Sequence, residues 1–161
     1  MSNCLSIREA LNIAEFTGQE VKITLCSGTE LKGVVEKVCP TAFRIWIDPE
    51  ALGSPQGDII KAWVAIHAVE KVAFDCENEV EGSCCKCIKQ SELQGIRKAL
   101  IAAELTRQTV KVGINCNGNP VKVEGRILNV SCSTFCIKIE GCYEKEIKEE
   151  KIANVEYVKF S

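Results

Sequence analysis

Three cysteines within four residues, Cys84-Cys85-Lys86-Cys87, with Cys76 a short loop upstream, are the residues of this chain best placed by type and spacing to do chemistry. Cys84 and Cys87 form a C-x-x-C pair, which presents two thiolates on a tight turn, as tetrahedral zinc requires of its four thiolate or imidazole ligands. Cys76, Cys84, Cys85 and Cys87 are therefore candidate ligands for zinc or an iron–sulfur cluster. The alternatives for the same group are a redox-active thiol pair and reduced cysteines with no site. A second pair at comparable spacing is missing from the segment, so Cys4, Cys132 or Cys142 would have to approach in the fold. The sequence requires no cofactor beyond this candidate metal or cluster, and does not require that one.

The eleven cysteines are an odd number, and with no secretory signal at Met1-Ser2-Asn3-Cys4 the chain is expected in the reducing cytoplasm, so a disulfide framework is a poor reading. Cys26, Cys39, Cys116 and Cys136 fall in or beside strand patterns, where a thiol serves as a small apolar filler. The sequence offers one histidine, no glycine loop to cradle phosphate and no glycine-flanked serine nucleophile, which argues against an enzyme. No apolar run approaches the ~20 residues that span a bilayer. Twenty basic residues stand against 22 acidic ones, without the basic stripe of a protein held to nucleic acid by its phosphates. Arg8, Arg97, Lys98 and Arg107 read as a positive helix surface or as an ordinary solvated face.

The elements that must position these residues occur twice. Residues 7–23, Ile-Arg-Glu-Ala-Leu-Asn-Ile-Ala-Glu-Phe-Thr-Gly-Gln-Glu-Val-Lys-Ile, recur over 96–112 with ten of seventeen identical. Gly33 answers Gly125, Phe43 answers Phe135, and Val69, Val72 and Phe74 answer Val155, Val158 and Phe160. Each copy opens on a capping box, Ser6 with Glu9 and Ser91 with Gln94, followed by apolar residues at helical spacing. The period then changes to that of strands, with Gly33 and Gly125 as bends that curl a short sheet toward a barrel. The expectation is a mainly β chain with α: a helix and five short antiparallel strands in 1–75, an acidic cysteine-bearing linker in 76–90, and a second such unit in 91–161.

Val21-Lys22-Ile23-Thr24-Leu25-Cys26-Ser27-Gly28-Thr29-Glu30-Leu31-Lys32-Gly33 resembles the first motif of the Sm-like family, and Ile66-His67-Ala68-Val69 resembles the stretch joining the last two strands in its bacterial branch, Hfq. The resemblance covers most of each half. It implies two tandem Sm-like (SH3-like) small barrels, strand edges that join subunits into a ring, and RNA near the pore. By position it makes Phe43 and Phe135 base-stacking aromatics and His67 a pore residue, and their packing reading is barrel core. Ile66 replaces the family's lysine before the histidine, and Ala153 stands where His67 would recur.

The expected function is therefore a non-enzymatic Sm-like regulatory protein that binds RNA, with Phe43, Phe135, His67, Arg8, Arg97 and Lys98 as contacts. It would assemble with itself, three two-unit chains imitating a six-membered ring. The alternatives are a protein-binding module that kept the scaffold and lost the RNA surface, or a metal-dependent sensor built on the linker cysteines.

Overall fold

The computed structural model describes residues 6–47, 60–74, 78–82, 84, 88–140 and 145–160. Helix α1 (Ile7–Thr17) starts where its capping box predicts: Ser6 Oγ accepts from the Glu9 amide at 3.2 Å and the Glu9 carboxylate accepts from the Ser6 amide. It ends at Gly18, whose φ of 66° is the left-handed stop that glycine adopts without a Cβ penalty. Strands β1 (Glu20–Leu25), β2 (Glu30–Val38), β3 (Ala42–Ile47), β4 (Ile60–Ala65) and β5 (Val69–Ala73) follow, and then a short strand β6 (Glu79–Glu81) formed by the linker.

The second copy runs through α2 (Gln94–Thr106), β7 (Thr109–Cys116), β8 (Asn119–Val130), β9 (Thr134–Glu140), β10 (Lys145–Lys151) and β11 (Val155–Phe160). Its helix start departs from the sequence reading. Residues Gln90–Leu93 form a 3-10 turn, α2 begins at Gln94, and no side chain of its own caps it. The amide of Gly95 instead donates to Thr41 Oγ1 at 2.8 Å, a cap supplied by the other copy. The hairpin between β7 and β8 closes through Asn117 and Gly118, both at positive φ, as a two-residue turn that follows the strand twist requires.

The expectation of two separate Sm-like barrels, each led by its own helix, is corrected by the sheet. Among the described residues, eleven strands form one open antiparallel sheet in the order β10-β9-β8-β7-β11-β4-β3-β2-β1-β5-β6, accompanied by the two helices α1 and α2. The joint is β11 on β4, which pairs Tyr157 with Val64, Val158 with Trp63, Lys159 with Ala62 and Phe160 with Lys61. The reason lies in these two strands being apolar on both faces. Ala62 and Val64 of β4 enter the first core with Tyr157 of β11, while Ala65 and Trp63 enter the second with Val155, Val158 and Phe160. Because successive side chains point to opposite sides of a strand, the two cores lie on opposite faces of the sheet at the seam. Strands buried on both sides need a neighbour on each edge, and here each supplies the other's.

Gly113 makes room for this arrangement. A Cβ there would lie 2.0 Å from the Tyr157 ring, so the aromatic crosses β7 only because the strand is bare at that point. The duplication survives in the irregularities too: β5 and β11 each carry a register shift that leaves one glutamate extra, Glu70 in the first copy and Glu156 in the second.

Candidate functional site: a cavity across the seam

The strand ends nearest the joint enclose a cavity of about 710 Å³ built from both copies. Two 3-10 turns meet there, Ile66–Ala68 between β4 and β5 and Ile152–Asn154 between β10 and β11. The first contributes His67, the second Asn154, and the β7–β8 hairpin adds Asn115 and Asn117. Glu156 closes one side. Its register shift turns the carboxylate toward the β1–β2 hairpin, where it accepts from the Ser27 amide at 3.1 Å and from Ser27 Oγ, which also contacts Thr29 Oγ1 at 3.0 Å.

The electrostatics follow from burial. Glu156 is 2% exposed, and desolvation pushes its carboxyl above the ordinary carboxylate range against the opposing pull of the Ser27 hydrogen bonds. Burial likewise lowers the His67 pKa and so favours the neutral imidazole, and the charge of Glu92 opposes it. The His67 Nε2 is buried and, among the described residues, has no hydrogen-bond partner. A neutral imidazole and three side-chain amides offer both donors and acceptors, the chemistry that reads the polar edge of a planar ligand, and the volume lies in the range of small-molecule and nucleotide sites.

The other residues singled out from the sequence are placed differently. Phe43 is 0% and Phe135 1% exposed, one in each core, so neither is a stacking platform; each is the second residue of its strand and fills the core there. Arg8 donates to the Pro40 carbonyl and Arg97 Nε to the Ser131 carbonyl at 3.1 Å. Each contact ties a helix to a strand turn, at acceptors one position apart in the repeat. Lys98 borders a second hollow of about 510 Å³ beside Trp63 and Cys39, away from the seam cavity.

Cys26, expected as a packed thiol, is joined to Cys84 in a disulfide with 5.9 Å between Cα atoms, which removes Cys84 as a thiolate ligand in this state. Both half-cystines line the cavity. Cys76, Cys85 and Cys87 lie outside the described residues, and among the described residues no group of three or more His, Cys, Asp or Glu is placed to hold a metal ion. Cys116 is exposed rather than packed. No described helix is long and apolar enough to cross a membrane.

Asn115, Asn154 and Glu156 were not singled out by sequence reasoning, although comparing the copies holds a signal for two of them. His67 faces Ala153 in the repeat, Asn154 faces Ala68, and Asn115 faces Cys26. The cavity takes much of its polarity from positions where the copies differ. Compared with protein-family models, curated proteins and solved structures, the chain matches none.

Proposed function

We propose that the chain is a non-enzymatic regulatory protein that binds single-stranded RNA by seating a base in the seam cavity, and that it works as a head-to-tail homo-oligomer. The observation that carries the RNA reading is the cavity's composition: amides of Asn115, Asn117 and Asn154 and the unpartnered Nε2 of His67, with no lysine or arginine among the described lining residues. Amide and imidazole groups hydrogen-bond the exposed edges of unstacked bases, whereas phosphate grip would call for cations. The near-neutral net charge leaves little of any binding to phosphate neutralisation, and by itself it favours the second reading below. Self-assembly is supported by the β4–β11 ladder, which joins two copies of the same unit edge to edge within one chain; three chains repeating that joint would place six units in a ring.

A titration of fluorescent uridine-rich and adenine-rich oligonucleotides tests the RNA reading. Binding is expected to weaken by less than about tenfold between 50 and 200 mM salt, because few phosphates are neutralised. His67→Ala and Asn154→Ala are each expected to weaken it by about fivefold or more, the worth of one hydrogen bond. Variants that bind like the parent overturn the cavity as the seat.

Absence of binding at low salt favours the second reading, a protein-binding module. That reading has its own observation: Phe16 and Leu105 occupy the same position of the two helices and are 92% and 76% exposed.

A further inference from the structure

The two ends of the sheet are not alike. At one end β10 pairs with β9 and, among the described residues, with nothing on its other edge; at the other, β5 is covered by β6. By the repeat, β10 is the counterpart of β4 and β5 the counterpart of β11. The interior joint therefore supplies the register in which a second copy's β10 would meet β5. Transposing it sets Lys71 opposite Glu150, Val72 opposite Glu149, Ala73 opposite Lys148 and Phe74 opposite Ile147. The first pair is complementary in charge. The last joins Phe74 to Ile147, which is 63% exposed and otherwise has no reason to be apolar.

Strand β6 already occupies that edge and reproduces part of the match. Glu81 stands opposite Lys71, where Glu150 would be, and Lys71 Nζ lies 3.3 Å from the Glu79 carboxylate. The Gly82 amide continues the ladder by donating to the Glu70 carbonyl at 2.7 Å. Two residues on, Cys84 is bonded to Cys26 at the end of β1, the strand on the other side of β5. A cover of three residues is short for a stable ladder by itself, and the covalent tie fixes its end.

We infer that β6 is an internal stand-in for β10 of a second copy, locked on the β5 edge by the Cys26–Cys84 disulfide, and that reduction opens the edge to assembly. This rests on the head-to-tail reading above and adds its control. The covalent step needs a dithiol. One thiolate attacks the disulfide, giving a mixed disulfide and one free cysteine; the second displaces the remaining cysteine, leaving both chain thiols reduced and the dithiol oxidised to a cyclic disulfide. The β10 of another copy, seven residues against three, then competes for the edge.

Sedimentation velocity of the full chain over a range of concentrations, with and without dithiothreitol, tests this alongside hydrogen exchange at Glu79–Glu81 and peptide mapping of the bond. The oxidised chain is expected to sediment as a monomer. The reduced chain and the variant Cys26→Ser/Cys84→Ser, without reductant, are expected to show faster exchange in β6 and association at a concentration at least tenfold lower. In that background Lys71→Glu is expected to weaken association at least tenfold, and adding Glu150→Lys to restore it. Equal association of oxidised and reduced chains, or a starting material without the bond, overturns the lock and leaves head-to-tail assembly standing. Release of β6 with the chain still monomeric overturns the assembly itself.

Discussion

Lys159 sits in β11 directly across from Lys111 of β7, is 7% exposed, and holds its ammonium 5.0 Å from the Tyr157 ring centroid. Burial, with Lys122 and Lys111 adding repulsion, lowers its pKa to about 8. A lysine that titrates lower in the folded chain than in the unfolded one costs stability below its folded pKa, and the cost fades as pH rises toward the unfolded value. Lys159→Met is therefore expected to raise stability at pH 7 by about 1–3 kcal/mol. The advantage should shrink between pH 8 and 10, measured as the difference between denaturant curves of variant and parent. A constant difference across that window contradicts the assignment. Tyr157, whose burial pushes its phenol up to about 12, contributes with the opposite sign only above pH 10.

Elements carry the duplication more faithfully than single side chains do. A Cβ on Gly33 would lie 1.9 Å from the Trp46 carbonyl oxygen, and one on Gly125 2.1 Å from that of Lys138. In both copies the neighbouring strand's backbone crosses where the glycine leaves space. Gly33→Ala and Gly125→Ala are each expected to cost at least about 2 kcal/mol, in the upper part of the range for overpacking, since backbone has to move. Thermal melts of the two variants check it, and a neutral result at either site contradicts the close approach. The positions of both helices and most strands were legible because apolar spacing is local, and the capping box at Ser6 and Glu9 forms as read. The box at Ser91 and Gln94 does not form: Gln90–Leu93 wind as a 3-10 turn, α2 starts at Gln94, and its Gly95 amide is taken up by Thr41, distant in sequence. The same cause hid the joint. The Trp63-Val64-Ala65 run and the repeat itself are compatible with either two closed units or one shared sheet, and only the ladder decides between them. Phe43 and Phe135 were legible as a repeated pair with both a packing and a stacking reading, and burial selects the packing one, since an aromatic at a strand's start reads the same buried or exposed.

For the whole molecule, the joint makes two marginal units into one. Each half is small enough that a separate core would be weakly stable, and the seam strands serve both cores through opposite faces. Glu156 and Ser27 bridge the copies outside the ladder, so the cavity exists only while the halves remain joined. Native-state hydrogen exchange tests this most directly. Ladder amides of β4 and β11 are expected to exchange with the same free energy as those of β2 and β8, through unfolding of the entire sheet. Exchange at the joint with a clearly lower free energy than in either half would show the copies parting independently, and would contradict a single sheet with a site across its seam.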